Sequence, residues 1–280
     1  IYRLRSPRKK KDKQMPPSIS NIEAFILCGP EEDRPHWVSN FIVPTANEIL
    51  IKIRTNDGVE GFGLATSYTD ATPIIKVLQS GITERLIGAN PLTPEKIYED
   101  IFSLTWQREA HEKGWGKEAL IRISAAVDVA CWDIIGKISG LPLYQMFGGY
   151  RDKIPYYVTC AYYRDGKDLS ELHDEISELK EQGHTGFKAK VGGLSLAEDI
   201  ARLELVRGII GKDSKLMVDV NRAWSLETAI EAVKALEPLD PYWLEEPLRW
   251  VDDRRQLKIL AEKTSIPLSA GESELTSYGC

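Results

Sequence analysis

Residues 186–220 read GFKAKVGGLSLAEDIARLELVRGIIGKDSKLMVDV, and the architecture follows from this pattern. An apolar run typical of a buried strand stands at each end, and the segment between them has the length and composition of a helix. Similar strand candidates occur before and after it, namely IPYYVTCAY, YWLEEP and IPLSAGE, again separated by helical stretches. Repeated strand–helix units imply parallel strands with helices outside. A (β/α) barrel and an open doubly wound sheet both satisfy this pattern.

The sequence before residue 150 has a different pattern of predicted secondary structure. The segment NEILIKIRTNDGVEGFGLA alternates apolar residues on both sides of Asn56-Asp57-Gly58, which predicts a β-hairpin, and ISNIEAFILC is a plausible partner strand. Helices are predicted next: Thr93 should cap one that begins at Pro94, and Gly140 should end a long apolar one. We therefore predict an α+β domain over residues 18–150 and a strand–helix domain over 151–280.

Charge and composition exclude several classes of protein. The chain has 280 residues and a net charge of −6, whereas nucleic-acid-binding domains are basic. Residues 1–17 form a strongly basic leader, which we expect to be disordered. The four cysteines lack CxxC spacing, and no apolar run approaches the roughly 20 residues of a membrane helix. These features predict a cytoplasmic protein that binds neither nucleic acid nor membrane.

Three successive strand candidates end in carboxylates: Asp219, Glu245 and Glu272, separated by 26 and 27 residues. This interval is one strand–helix unit, so the repeat should bring the three carboxylates to the same level of neighbouring strands. Carboxylates that converge repel one another unless a cation binds them, and hard oxygen ligands suit Mg²⁺. One strand earlier, Lys188 and Lys190 share a strand face, since side chains alternate with period two. We expect both lysines to face the acidic cluster.

Each of these residues also has an ordinary structural explanation. A carboxylate at a strand end commonly caps a helix or is solvated, and a lone lysine commonly pairs with a surface acid. Asn221 could hydrogen-bond a substrate or simply form a turn. Glu246 should face away from a metal on a regular strand and support the site from behind. The shared register of four strands is what favours a functional site.

The motifs FKAK, MVDVN, WLEEP and AGE together resemble the enolase superfamily, specifically its mandelate racemase/muconate lactonizing enzyme-like members. The resemblance covers roughly residues 18–280. It implies a modified TIM barrel, (β/α)₇β, preceded by an α+β capping domain, and a homo-oligomer. It also implies that Asp219, Glu245 and Glu272 bind Mg²⁺ and that Lys190 is the base, with Lys188 as its neighbour.

Elementary chemistry agrees with this resemblance. Removal of the α-proton of a carboxylate makes a dianionic ene-diolate, and a chelated divalent cation stabilises that charge. A lysine base with Mg²⁺ is the general description of enolase-superfamily sites. The charge on Lys188 should disfavour the charged form of Lys190 and so make it a better base. The small-molecule substrate should contact Asn221 and a lid that contains His36, Trp37, Tyr68 and Trp115.

The sequence also departs from the family pattern. We count five barrel strands, so the barrel is truncated after about the fifth, and residues 151–280 should be its incomplete first part. The family normally supplies an Asp–His pair and a further acidic residue from later strands, and the sequence contains none of them. We therefore expect residues 1–280 alone to be inactive, because an open five-strand barrel exposes an unpaired edge and half a site.

The favoured function is Mg²⁺-dependent abstraction of an α-proton to a metal-stabilised ene-diolate. Dehydration of a sugar acid to a 2-keto-3-deoxy acid should follow, as in many relatives with the same motifs. Racemisation, epimerisation or cycloisomerisation shares the first step and is the alternative. A non-catalytic homologue that keeps the barrel as an interaction module is the second alternative, against which the intact lysines and carboxylates speak.

Overall fold

The computed structural model describes residues 16–29, 33–39, 41–43, 47–67, 70–251, 253–272 and 274–276. The predicted leader falls largely on residues 1–15, which lie outside the described residues. Contacts between Cα atoms divide the chain into two compact units, residues 1–28 with 46–150 and residues 29–45 with 151–280. The segment 29–45 thus groups with the second unit, whereas the sequence division placed it in the first.

The first unit contains an antiparallel sheet of three strands in the order β1-β2-β3. The strands are β1 (Ile19–Cys28), β2 (Asn47–Thr55) and β3 (Glu60–Ser67). The predicted hairpin joins β2 to β3: Gly58 has a φ of 88°, and its amide donates to the carbonyl of Thr55. Glycine is suited to this left-handed conformation because it has no Cβ.

The core of the first unit forms where β3 contacts a long helix. The helices and helical turns of this unit are α1 (Thr72–Val77), a π turn at Leu78–Ile82, α2 (Thr83–Leu86), α3 (Pro94–Phe102), a 3₁₀ turn at Ser103–Trp106, α4 (Arg108–Glu112), α5 (Lys117–Ser139) and α6 (Leu143–Met146). A Cβ added at Gly63 would lie 1.9 Å from the carbonyl oxygen of Ala126 in α5. Only glycine therefore permits this approach of strand to helix.

Of two predicted helix boundaries, the end of α5 is confirmed and the side-chain cap of α3 is not. The helix α5 ends at Gly140, which has a φ of 66°, as its sequence position predicts. Thr93 occupies the N-cap position of α3, but the prediction that it caps the helix is wrong, because its side chain makes no capping bond. Its hydroxyl donates instead to the carbonyl of Asn90, so the preceding turn uses the group that would have capped the helix.

The second unit contains the predicted parallel sheet, in the order β4-β5-β6-β7-β8. Its strands are β4 (Val158–Cys160), β5 (Gly186–Lys190), β6 (Lys215–Asp219), β7 (Trp243–Glu245) and β8 (Leu268–Ser269). Between them lie α7 (Leu169–Glu181), α8 (Leu196–Ile210), α9 (Leu226–Leu236), a 3₁₀ turn at Glu237–Leu239, and α10 (Asp253–Ala261). The predicted alternation of strand and helix is thereby confirmed.

Because side chains alternate along the parallel strands, apolar residues lie on one face of the sheet and charged residues of the candidate site lie on the other. Phe187, Ala189 and Val218 are buried in a core that includes apolar residues of α7, α8 and α9. The intervening positions of β5 carry Lys188 and Lys190, which therefore project from the opposite face of the sheet. Ser195 begins α8 with a reciprocal capping box to Glu198, which fixes where the chain turns from strand to helix.

The glycine pair after β5 makes room for aromatic side chains. A Cβ at Gly193 would lie 2.7 Å from ring atoms of both Trp37 and Tyr163. Since displacing two stacked rings costs free energy, we expect Gly193→Ala to lower the free energy of unfolding by about 1–3 kcal/mol. Urea denaturation followed by circular dichroism measures this change.

The matched control for Gly193→Ala is Gly208→Ala. Gly208 is exposed on α8, with no atom within 4 Å of an added Cβ. This control should raise the free energy of unfolding by about 0.5–1 kcal/mol, since alanine is the better helix former. Equal unfolding midpoints for the two variants would show that the space at Gly193 is not tight.

Among the described residues, no helix is both long enough and apolar enough to cross a membrane. The buried cysteines Cys131 and Cys160 have free thiols. Burial raises the pKa of Cys160 to about 12, with a smaller contribution from the charge of Glu175. The Cys160 thiol therefore stays protonated near neutral pH and is poorly suited to act as a nucleophile or a metal ligand.

Candidate active site

The register of the parallel sheet places charged residues side by side. Lys190 is paired with Asp219, and Asp219 with Glu245, across three adjacent strands. Each of the three is the last residue of its strand. Glu272 follows three positions after the end of β8. The expectation that the strand–helix repeat brings these residues to one level is thus met by the geometry.

The three carboxylates form a cluster that could hold a metal ion. One oxygen from each of Asp219, Glu245 and Glu272 lies within 4.8 Å of the others. Asp219 is fully buried, Glu245 is partly buried and Glu272 is exposed, so the cluster opens from the sheet towards solvent. Oxygen donors alone, with one open side for water and substrate, suit Mg²⁺ rather than a thiol- or imidazole-binding metal. The donor set therefore fits the predicted cofactor.

Both lysines contact this cluster directly. The Nζ of Lys190 donates to Asp219 Oδ2 at 2.6 Å, and the Nζ of Lys188 lies 3.2 Å from the same oxygen. Lys188 also donates to Glu245 Oε1 at 2.7 Å. The two lysine amines thus meet at one buried carboxylate oxygen. Positive charge at this oxygen reduces the repulsion among the three neighbouring carboxylates.

The charge state of Lys188 follows from its neighbours. Burial lowers its pKa, but the hydrogen bond to Glu245 and the negative charges of Asp219 and Glu245 act in the other direction. The net effect raises the pKa of Lys188 above its ordinary value. Lys188 therefore remains a cation near neutral pH, as its expected effect on Lys190 requires.

Asn221 lies inside the site. Its Oδ1 accepts from Lys190 Nζ at 3.0 Å, and its backbone amide donates to Asp219 Oδ1 at 3.0 Å. It has a φ of 46°, in the left-handed region that asparagine tolerates better than most residues. The sequence left a substrate contact and a turn both open, and the structure has Asn221 at a turn while its side chain orients Lys190. Its contact with substrate stays a prediction.

Glu246 supports the cluster from behind. Its φ of 44° takes the chain out of regular strand geometry, so the expectation of a regular strand at this position is wrong. Its Oε1 accepts from the backbone amides of Gly271 and Glu272, at 2.8 and 3.1 Å. The buried carboxylate thereby fixes the backbone that carries a candidate metal ligand, as its expected supporting role requires.

The contacts of Glu246 lead to a prediction about metal affinity. Glu246→Ala removes the acceptor for the amides of Gly271 and Glu272, and supporting partners of this kind contribute about 10–100-fold to metal affinity. We expect Mg²⁺ affinity, measured by isothermal titration calorimetry, to fall by about this factor. Glu246→Gln keeps an acceptor oxygen and should lose less, so equal losses in both variants would contradict this role.

Aromatic residues that were not predicted from the sequence complete the site. The Nζ of Lys190 lies 5.5 Å from the ring centroid of Tyr162, and that of Lys188 lies 5.6 Å from that of Tyr157. Trp243 donates its indole N–H to Glu245 Oε2 at 2.9 Å. Burial, with the charges of Asp219 and Glu272, raises the pKa of Tyr162 even though Lys188 opposes the shift. The position of Tyr162 after the first barrel strand was the signal that could have found it.

The predicted lid residues have separate locations. His36 and Trp37 belong to the second unit: Trp37 stacks on Tyr163 with ring centroids 4.4 Å apart, and His36 meets the edge of Tyr162 at 5.4 Å. Ser39, in the same segment, donates to the carbonyl of Asn221 at 3.2 Å. The segment 33–39 is thus held beside the candidate site.

The two other predicted lid residues belong to the first unit. Trp115 is buried in its core and donates its indole N–H to Ser80 Oγ at 2.7 Å. This contact gives Trp115 a packing role, and its contact with substrate stays a prediction. Tyr68 lies outside the described residues.

Comparisons with known proteins identify the family. The model for "Mandelate racemase / muconate lactonizing enzyme, N-terminal domain" matches residues 21–148, and that for "Enolase C-terminal domain-like" matches residues 171–280. The chain is 29% identical to arabinonate dehydratase of Saccharolobus solfataricus over 93% of its own length and 69% of the relative's. It is 33% identical to L-talarate/galactarate dehydratase of Salmonella typhimurium, over 82% and 56% of the two lengths.

A solved structure agrees with the sequence relatives. The mandelate racemase/muconate lactonizing enzyme of a marine actinobacterium, crystallised with magnesium, superposes with a TM-score of 0.79 at 27% identity, covering 94% of this chain and 69% of that one. Other relatives are named as a racemase and a cycloisomerase. The chain spans between 56 and 69% of the two dehydratases it matches. The predicted fold class, a barrel with a preceding α+β domain, is confirmed by these matches.

Proposed function

The chain belongs to the mandelate racemase/muconate lactonizing enzyme family of the enolase superfamily, and we propose that it takes part in Mg²⁺-dependent abstraction of the α-proton of a carboxylate substrate. The observation that carries this proposal is the contact of a buried lysine with the carboxylate cluster, 2.6 Å from Lys190 Nζ to Asp219 Oδ2. A base and a cluster able to hold a cation thereby stand next to each other, at the ends of adjacent strands.

Three residues of this chain would hold the metal: Asp219, Glu245 and Glu272. When bound, Mg²⁺ supplies a positive charge that offsets the negative charge developing on the substrate carboxylate. Trp243 and Lys188 each donate to an oxygen of Glu245, and Glu246 fixes the backbone of Glu272. These contacts hold the carboxylate of Glu245 and the backbone of Glu272 in place before any ion arrives, which lowers the cost of assembling the site.

Lys190 acts as the base in this proposal. A general base must present a nitrogen lone pair to the α-proton, and the Nζ of Lys190 is the amine nearer to the buried carboxylate of the cluster. Asn221 accepts from the same Nζ at 3.0 Å and limits where the amine can point. The substrate carbon would then approach a nitrogen that Asp219 and Asn221 already orient, which is the positional advantage an enzyme gains over free amine.

The reaction that we favour is dehydration of a sugar acid. Lys190 takes the α-proton, the bond from the β-carbon to its hydroxyl breaks, and the hydroxyl takes up one proton, so that the net loss is one molecule of water. The resulting enol tautomerises to a 2-keto-3-deoxy acid. Relatives named as dehydratases of arabinonate, talarate/galactarate and mannonate support this choice, as does one named as a member of the D-galactonate dehydratase family. Relatives named as a racemase, an epimerase and a cycloisomerase support the alternative, in which the same first step has a different outcome.

A panel of four sugar acids tests the reaction type. The natural protein that contains this chain should convert at least one of arabinonate, galactarate, galactonate and mannonate to a 2-keto acid, detected as its semicarbazone. The conversion should require Mg²⁺ and stop with excess EDTA. Product with inverted configuration and no keto acid would favour the racemase or epimerase alternative. A protein that neither binds Mg²⁺ nor changes any substrate would be the non-catalytic homologue.

A further inference from the structure

A buried polar network lies directly behind the proposed base. It consists of Tyr163, Asp199 and Arg202, which are 4%, 1% and 7% exposed. Arg202 donates to Asp199 Oδ1 at 3.1 Å, and the hydroxyl of Tyr163 donates to the same oxygen at 2.5 Å. A buried ion pair gains little over apolar packing of the same volume. Stability alone therefore does not explain this network.

We propose that Tyr163, Asp199 and Arg202 are positioning residues that hold the backbone at Lys190 and immediately after it, and so set the location of its Nζ for proton abstraction. This inference rests on the proposed function, because it assigns the network to the same reaction. It adds residues that touch neither substrate nor the carboxylate cluster and that act through Lys190.

The first argument is the gap in the strand ladder that Arg202 bridges. Pairing of β4 with β5 stops at Cys160 and Ala189, and Ala161 then turns away with a φ of 56°. The guanidinium of Arg202 donates to the carbonyls of Ala161 and Lys190, at 2.6 and 3.2 Å. It thereby joins the two chains where regular pairing has ended, at the residue that carries the base.

The second argument is that the network accepts hydrogen bonds from the backbone of the residues that follow β5. The amide of Gly192 donates to Asp199 Oδ2 at 2.7 Å, and the amide of Gly193 donates to the hydroxyl of Tyr163 at 3.1 Å. The network thus binds the backbone at positions 190, 192 and 193. Pairing of β5 with β6 fixes the backbone up to Lys190, and the network fixes it from Lys190 onward, so the Cα of Lys190 has little freedom left.

The third argument is a matched guanidinium at the other end of the same helix. Arg207, also on α8, donates to the carbonyls of Gly211, Ser214, Leu239 and Asp240. These carbonyls precede β6 and β7, at the end of the strands opposite the candidate site. Arg202 and Arg207 therefore make the same kind of contact, and only Arg202 makes it beside Lys190.

Kinetics of variants of the natural protein test this inference. The assay is exchange of the α-hydrogen for solvent deuterium in the four sugar acids named above, followed by proton NMR with Mg²⁺ present. Misplacement of a reacting group by about 1 Å can cost about 100-fold in rate. We expect Arg202→Lys to lower kcat about 10–100-fold with KM unchanged. Tyr163→Phe keeps its ring and the ion pair and should lose less.

The control variant is Arg207→Lys. It should lose comparable thermal stability and keep kcat, because it loosens the opposite end of the strands. Equal losses of kcat in Arg202→Lys and Arg207→Lys would overturn the inference, since they would indicate general loosening. A raised KM with kcat unchanged in Arg202→Lys would also overturn it, since that pattern reports substrate binding.

A second measurement separates this inference from the proposed function. If the unmodified protein exchanges hydrogen in none of the four acids, the proposed function fails and kinetics cannot judge the network. Amide hydrogen exchange read by mass spectrometry then decides. Faster exchange across residues 188–193 in Arg202→Lys but not in Arg207→Lys would support the positioning role, and unchanged protection there would overturn it.

Discussion

Replacing Lys190 with methionine is expected to lower the rate of α-hydrogen exchange by about 100–10,000-fold, the range that a positioned general base contributes. Methionine keeps the length and much of the volume of the side chain but has no nitrogen to accept a proton. Lys190 is 7% exposed, so solvent is poorly placed to substitute for the missing base. Deuterium incorporation at the α-carbon of the sugar acid panel, followed by NMR, measures the loss.

Lys190→Arg makes this prediction specific. Arginine keeps a positive charge that can pair with Asp219, but its guanidinium does not lose a proton at any working pH. If Lys190 is the base, the arginine variant should be as inactive as the methionine variant while it keeps more thermal stability. Activity retained in Lys190→Arg would mean that the residue supplies only charge, and the role of base would have to move elsewhere.

Asp219→Asn is expected to remove the thermal stabilisation that Mg²⁺ gives the parent protein. A ligand that binds only the folded state at about 100 times its Kd adds about 2.7 kcal/mol to the free energy of unfolding. Asp219 is the buried member of the three-carboxylate cluster. Its replacement removes one anionic ligand and the negative charge that Lys188 and Lys190 both contact. Both changes disfavour a divalent cation.

Asp174→Asn is the control for Asp219→Asn, since its side chain is 81% exposed on α7, away from the strand ends. It should keep the full Mg²⁺-dependent shift in unfolding temperature. Comparing shifts with and without Mg²⁺, rather than absolute stabilities, removes the effect of the changed charge on the metal-free protein. A full Mg²⁺ shift in Asp219→Asn would show that the ion binds elsewhere.

The sequence was sufficient to predict which side chains of the parallel strands lie in the candidate site. Period-two alternation in 186–191 separates Lys188 and Lys190 from the buried Phe187 and Ala189, and the observed faces agree. The near-constant spacing of Asp219, Glu245 and Glu272 follows from a repeat of one strand and one helix. Parallel strands that pair in register then leave those residues at one level, as observed.

Other features depend on contacts that local sequence does not encode. The segment 29–45 groups with the second unit because Trp37 pairs and stacks with Tyr163, a contact between residues far apart in the chain. The left-handed conformations of Asn221 and Glu246 arise at strand ends, and nothing in MVDVN or WLEEP specifies them. Arg202 is buried by hydrogen bonds to Asp199 and to the carbonyls of Ala161 and Lys190, and the contact with Ala161 joins residues far apart in the chain.

The measurement that bears most directly on the proposed chemistry is Mg²⁺-dependent deuterium incorporation at the α-carbon of a sugar acid in heavy water. We predict exchange in at least one of the four acids with the natural protein and Mg²⁺. We predict loss of that exchange with EDTA, with Asp219→Asn and with Lys190→Arg. Exchange that persists without Mg²⁺ or without Lys190 would contradict the assignment of the carboxylate cluster and the lysine to proton abstraction.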